Sequence, residues 1–413
     1  MVAIIGLATR LQIDSVENQY EYIKQNLADS YDEDFGILTN EASLRKLITR
    51  LKNHNIIISV VLTGGTKKLI VNLGKLRKPM ILVSNDKQNA LSSSLHALYI
   101  LRDHNKKILH IQGDLKTVPW NSVRKVISGI NGLLSNPARN IVLIGVSSNF
   151  LEEEKYNLHS LKDKFGLSVK TVSLRKFLKQ LTKAEPDEGA ISKMLKILEK
   201  TKTDDICEKI AKIHAVSKLL MKGSIAGGIR CFPIISKVGV TPCFVVSDFL
   251  DEGKIFGCEA DLAAIISMLL AKYITGEIPF VANPITLEKT GRLTLAHCTA
   301  ATKLFSSDAK LSEHFESKKG YAVEGSFREN STITLLKVDP GFSKLLLIRG
   351  QILVGKRFSD EFCRNQVVVG FEKEPLRILS GEFAHHLIMI YGDHTTELKY
   401  AAELLGLELV NYY

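Results

Sequence analysis

The chain lacks most of the signals that would assign it quickly, and each absence excludes something. Its six cysteines, at 207, 231, 243, 258, 298 and 363 of 413 residues, include no CxxC pair. That spread argues against a zinc ribbon and a disulfide framework, and leaves most of them as small buried hydrophobes. No apolar run approaches the roughly 18 residues of a membrane span. The opening Met1-Val2-Ala3-Ile4-Ile5-Gly6 enters a strand directly, without the basic segment and cleavage site of a signal peptide, so the expected location is cytoplasmic. No arginine-rich block, internal repeat or low-complexity tract occurs. The formal charge of +11 would suit nucleic acid, but the basic residues are scattered or come as short pairs such as Lys67-Lys68 and Lys318-Lys319. A basic pocket for anionic small molecules accounts for the charge at least as well.

What is present is an ordinary globular composition, 45% hydrophobic and 24% charged, with length for two or three domains. Apolar runs at Val2–Ala8, Ile56–Leu62, Met80–Ser84 and Ile108–Gln112 alternate with helical patterns at about 43–53, 87–103 and 119–134. Such alternation predicts a parallel sheet covered by helices on both faces. A break at 135–140 precedes a second α/β unit, starting at Asn140–Gly145 and including the strand Ser168–Val172. A long helical region (188–222), Gly-rich turns, the segment Ile229–Ile235 and a strand-like Cys243-Phe244-Val245-Val246 follow. A helix opening at Glu259 is expected to stop at Gly276. Beyond Pro284, short strands dominate, at Leu293–His297, Thr332–Val338, Leu345–Arg349, Gln366–Phe371 and Leu387–Tyr391, and a helix at about Thr395–Leu405 closes the chain. The expected fold is α/β: two parallel-sheet, Rossmann-like domains (1–138 and 139–284) followed by a β-rich, barrel-like domain (285–413).

Several polar residues stand where chemistry could occur, and each has a plainer reading. Glu259 is either a metal ligand or an acid favoured by the dipole of its helix. Asp261 is either a solvated or dipole-stabilising first-turn acid or a substitute base. Consecutive side chains on a strand alternate faces, so only one of His385 and His386 is expected to face a site. His297, His314, Glu316 and Arg364 are candidates for substrate contacts. Arg230 follows two glycines that permit close approach of a ligand, and is either a surface arginine or an anion contact. Thr63-Gly64-Gly65-Thr66 is a strand-to-helix turn that could present N–H groups to an anion. It lacks the spacing of a P-loop or a dinucleotide fingerprint.

The order and spacing of several segments together resemble the L-fucose isomerase and L-arabinose isomerase superfamily, in its shorter archaeal-type relatives. The carriers are Gly228-Ile229-Arg230-Cys231-Phe232-Pro233, Cys258-Glu259-Ala260-Asp261, Phe280-Val281-Ala282-Asn283-Pro284, Leu295-Ala296-His297-Cys298-Thr299, Cys363-Arg364-Asn365-Gln366, and the segment from His385 to Asp393. The resemblance implies a sugar isomerase, assembled as a trimer or hexamer with sites at subunit junctions, and Mn²⁺ (or Mg²⁺ or Co²⁺) as cofactor. By position it assigns Glu259 and His386 to the metal, with Glu259 as acid/base, and places His297 nearby. The second carboxylate such a site uses falls on Asn283. An amide can offer the metal a carbonyl oxygen but cannot take a proton at neutral pH. Two readings stay open: a metal-dependent isomerase or related metal-assisted enzyme acting on a pentose, deoxyhexose or other polyhydroxy substrate, or a non-catalytic descendant that binds sugar, serves as a scaffold or associates with RNA.

Overall fold

The computed structural model describes residues 1–372 and 376–412. The chain forms two compact units. The first comprises Met1–Asn136, Tyr273–Thr275 and Thr396–Leu409; the second comprises the remainder.

In the first unit, β1 (Val2–Leu7), β2 (Glu33–Leu38), β3 (Ile56–Val61), β4 (Met80–Asn85) and β5 (Ile108–Gly113) make one parallel sheet in the order β2-β1-β3-β4-β5. Every residue of β1, β3 and β4 is buried, as expected of Val/Ile/Leu runs with helices on both faces. β2 escapes sequence analysis because it opens on Glu33-Asp34 and buries only Leu38. It is an edge strand, where polar residues are tolerated. The order reverses between β1 and β3, and the Thr63–Thr66 turn sits at that reversal, with Thr9 N–H donating to Thr63 Oγ1 at 2.9 Å.

The second unit holds another parallel sheet, β6 (Asn140–Ile144), β7 (Ser168–Val172), β8 (Ala226–Ile229) and β9 (Ile255–Cys258), in the order β7-β6-β8-β9. It continues into a closed antiparallel barrel. Its strands are β10 (Phe280–Leu287), β11 (Arg292–His297), β14 (Thr332–Val338), β15 (Lys344–Val354), β16 (Asn365–Gly370) and β17 (Leu387–Tyr391). They run β14-β17-β10-β11-β16-β15, and β14–β15 pairing closes the ring. A two-stranded hairpin, β12 (Lys310–Glu313) with β13 (Tyr321–Glu324), stands apart from the ring, and β18 (Glu408–Tyr412) borders β15. Two parallel sheets and a barrel are the fold class expected from the sequence. Among the described residues, no helix is long and apolar enough to cross a membrane.

Several local expectations need correction. Cys243-Phe244-Val245-Val246 is not a strand but the start of the helix Cys243–Asp251, buried at every position from Cys243 to Leu250. A helix buried all round shows no 3.6-residue periodicity, so a short apolar run cannot reveal its period. The region 188–222 is two helices, Glu188–Leu198 and Asp205–Leu220, the second started by the Asp204 cap on Cys207 N–H. The Gly-rich stretch before Arg230 is not a turn but β8. A Cβ on Gly228 would lie 2.8 Å from Ile265 Cδ1 and 3.2 Å from Ala260 Cα, so glycine lets the turn after β9 pack onto the strand. The helix expected to open at Glu259 begins instead at Leu262, and ends as expected at Gly276 with φ +78°. Finally, β18 rather than a helix closes the chain.

Candidate active site

Glu259 and Ala260 connect β9 to the helix Leu262–Thr275 in the left-handed region, with φ of +55° and +57°. Two successive non-glycine residues there cost on the order of 1–2 kcal/mol each, strain of the kind that collects at functional sites. Asp261 follows as the helix cap, its Oδ1 accepting from Ala264 N–H at 2.9 Å. Asp261 is not a solvated acid: it is buried, and its Oδ2 accepts from Lys337 Nζ and from His386 Nδ1, each at 2.9 Å. Burial alone would raise its pKa. The Lys337 ammonium, then the His386 hydrogen bond, outweigh that and hold the carboxyl well below the usual range.

This arrangement fixes the His386 ring. A carboxylate can only accept, so Nδ1 carries the proton and Nε2 the lone pair. His386 is fully buried, which lowers its pKa and keeps the ring neutral. Its Nε2 has no hydrogen-bond partner among the described residues; Glu259 Oε1 lies 3.9 Å away. A buried imidazole with one nitrogen held by a carboxylate and the other unpartnered is the arrangement of a metal-ligating histidine with its orienting acid.

His385 and His386 were expected to point apart, but both precede β17, where strand alternation has not begun. His385 Nε2 lies 3.4 Å from Glu259 Oε2, and one potential ligand atom from each of Glu259, His385 and His386 falls within 4.8 Å of the others. The His385 hydrogen bond lowers the Glu259 pKa against its partial burial, and the same bond raises that of His385.

Asn283 stands one step beyond Ala282–Leu387, the last pair of the β10–β17 ladder, level with His386 on the segment that leads into β17. Its Oδ1 is buried without a hydrogen-bond partner among the described residues. His297 is also buried, its ring centroid 5.3 Å from that of His386. Its tautomer is the opposite one: Nδ1 accepts from Thr299 N–H at 3.2 Å, which leaves the proton on Nε2. Burial, then the neighbouring His386, lowers its pKa to about 3, so it is a neutral donor.

A cavity of about 510 Å³ opens beside Glu259, with His385, Phe150, Arg230, Phe232 and Ser236 among its walls. His314, Glu316 and Arg364 are not among its walls. His314 Nδ1 accepts from Ser317 N–H at 3.2 Å, and burial, then Arg364, lowers its pKa to about 4. Arg364 Nε donates to Glu313 O at 2.7 Å, bracing the end of β12. Burial, then the Glu259 charge, raises the Glu316 pKa. Gly64, Gly65 and Thr66 belong to the first unit.

Sequence reasoning passed over Lys337 and undervalued Asp261. The signal for Lys337 was its place in Ile333-Thr334-Leu335-Leu336-Lys337, sharing a strand face with Ile333 and Leu335. A lysine on an apolar face needs a buried partner. The signal for Asp261 was its position immediately before an unbroken apolar helix, where an aspartate caps.

No protein-family model matches the chain. Sulfoquinovose isomerases of Priestia aryabhattai and Priestia megaterium are each 22% identical to it over 343 residues, covering 78% of this chain and 76% of theirs. A sulfoquinovose isomerase from a Clostridium species is 29% identical over 195 residues, covering 44% of this chain and 43% of its own. These relatives, with the two parallel sheets and the closed barrel, support the resemblance to the L-fucose and L-arabinose isomerase superfamily that the motifs carry.

Proposed function

We propose that the protein is a divalent-metal-dependent aldose–ketose isomerase that interconverts a sugar through an enediol. The observation that carries this reading is His386 Nε2, fully buried, unpartnered and oriented by Asp261 beside the Glu259 carboxylate. Glu259, His386 and the Asn283 carbonyl oxygen would hold the cation, with His385 within reach. One nitrogen and oxygen donors suit Mn²⁺, Mg²⁺ or Co²⁺. When bound, the cation polarises the sugar oxygens as a Lewis acid.

The chain's own groups divide the proton traffic. Glu259 is held ionised by His385, so at neutral pH it can accept the C–H proton. His385, whose pKa the same pairing raises, is the group to return a proton to oxygen. His297 donates from Nε2–H and serves as a fixed contact to a substrate hydroxyl. Asn283 can orient but cannot shuttle, which leaves a single carboxylate as base. The trimer or hexamer implied by the resemblance is part of the same proposal, with Gly64, Gly65 and Thr66 as a turn offered to a neighbouring subunit's site.

The test is an aldose/ketose panel with added Mn²⁺, Mg²⁺ or Co²⁺, read by NMR in D₂O. Sulfoquinovose comes first on the relatives' name, with pentoses, deoxyhexoses and their phosphorylated forms beside it. Deuterium on a sugar carbon is the expected result. Stoichiometric metal with no exchange on any sugar would favour the second reading, a non-catalytic sugar-binding descendant, which the Asn283 amide motivates.

A further inference from the structure

The cavity that Glu259 borders also contains a cation that proton transfer leaves unused. The sheet of the second unit reverses its order between β6 and β8. Open α/β sheets bind ligands outside the carboxyl ends of their strands at such a reversal. Arg230 is the first residue after β8, and its N–H donates to Ile144 O at the end of β6 at 2.8 Å, so it stands on the reversal itself. Its guanidinium lies over the Phe150 ring at 5.0 Å from the centroid, which steadies the plane and leaves its N–H edge to a ligand. Among the described residues it has no carboxylate partner. An arginine lining a cavity without a counter-charge is a recognition group for an anion.

Arg230 also heads the helix Cys231–Val238, whose first turn has no side-chain cap, and that end adds partial positive charge. Phe232 and Ser236 of this helix wall the cavity. The rim acid Glu154 is exposed, where solvent and salt screen it. At the same cavity, Glu259 stands beside the unpartnered His386 Nε2, so one end of the ligand is fixed by the reacting carbons.

Resting on the isomerase reading above, we infer that the substrate carries a tetrahedral anionic group, sulfonate or phosphate, on its carbon chain away from the carbonyl. Arg230 is the residue that selects it. The anion lies against the guanidinium edge and the start of the Cys231–Val238 helix, while the carbonyl end lies at Glu259.

The experiment uses alditols, which have no carbonyl and cannot turn over. Glucitol, glucitol 6-phosphate and 6-deoxyglucitol 6-sulfonate are titrated calorimetrically into the full chain with Mn²⁺. At least one anionic alditol is expected to bind about 10- to 100-fold tighter than glucitol, the range of a charge-assisted contact. Arg230→Met removes that gap, Arg230→Lys restores part of it, and thermal melting of both variants checks the fold. The sulfonate-to-phosphate ratio identifies the anion. Equal binding of all three alditols, binding of none, or a gap that survives Arg230→Met overturns the inference. Deuterium exchange on neutral aldoses without any gap leaves the isomerase standing and removes the anion subsite; a gap without exchange on any aldose does the reverse.

Discussion

Two buried histidines in the second unit look alike on paper and differ in what surrounds them. His386 and His214 are both almost completely buried, and each belongs to a cluster of potential metal-ligating groups. At His214, Nε2 lies 3.0 Å from Asp248, and Nδ1, which like His386 Nε2 has no hydrogen-bond partner among the described residues, lies 3.3 Å from Asp187. Lys193 then spans Asp248 and Glu252 at 2.7 and 3.0 Å, filling the place a cation would take. This network ties together the helices Glu188–Leu198, Asp205–Leu220 and Cys243–Asp251. At His386 the lysine, Lys337, bonds the same Asp261 oxygen that holds Nδ1, and Nε2 is left facing Glu259. An imidazole between two carboxylates holds helices together, whereas His386 turns its unpartnered Nε2 toward Glu259, an acid that lines the cavity with His385. The two differ in that Lys193 also bonds Glu252, the third group of its cluster, whereas Lys337 bonds Asp261, outside the Glu259, His385 and His386 group.

The comparison is sharpened most by Glu259→Gln, which removes the carboxylate that stands beside His386 Nε2 and borders the cavity. Turnover is expected to fall by about 10²- to 10⁴-fold, the usual contribution of a general base, in the D₂O exchange assay. Lys193→Met is the matching change at the other cluster. It is expected to lower stability, seen as an earlier urea midpoint, and to leave metal content and exchange unchanged.

Asp261→Asn probes orientation, because asparagine preserves the helix cap. Metal affinity is expected to drop about 10- to 100-fold, as for loss of a carboxylate behind a ligating histidine. The same change leaves Lys337 buried without its counter-charge, at a cost of about 3–5 kcal/mol in chemical denaturation. Adding Lys337→Met should recover much of the stability and none of the metal affinity, so the two roles of Asp261 can be read separately.

The smallest expected effect is on pH. His297 is held neutral by burial, with its folded pKa lowered to about 3 from the usual 6.5. Below pH 6.5 the unfolded chain therefore binds a proton that the folded chain refuses, and stability falls as pH drops toward 3. The slope is up to about 1.4 kcal/mol per pH unit for this group. His386, also lowered, acts in the same direction, and His385, raised by Glu259, acts oppositely. His297→Gln should flatten the profile between pH 6 and 4; an unchanged slope would mean that the ring is not titrating as a buried neutral group.

Much of the fold was legible because its core strands are continuous Val/Ile/Leu runs that only parallel sheets bury on both faces. The parts that were missed share a cause: their environment, not their composition, sets their structure. Edge strand β2 is polar because one side is open, β8 is Gly-rich because a turn packs on it, and Cys243–Leu250 is apolar all round. At the site, Glu259, His386 and Asn283 were named by order along the chain, and the structure brings Glu259 and His386 into one cluster with Asn283 level with His386. Asp261 and Lys337 could not be ranked from sequence, since the value of a buried ion pair depends on which atoms meet. His385 was set aside by a strand rule applied before the strand begins at Leu387.

The most direct measurement is the metal content of purified, Mn²⁺-dialysed protein compared with His386→Ala and with His214→Gln. One Mn²⁺ per chain is expected in the parent and in His214→Gln, and none in His386→Ala at the same concentration. Equal stoichiometry in the parent and His386→Ala, with both still folded, would contradict the assignment of His386 Nε2 to a cation.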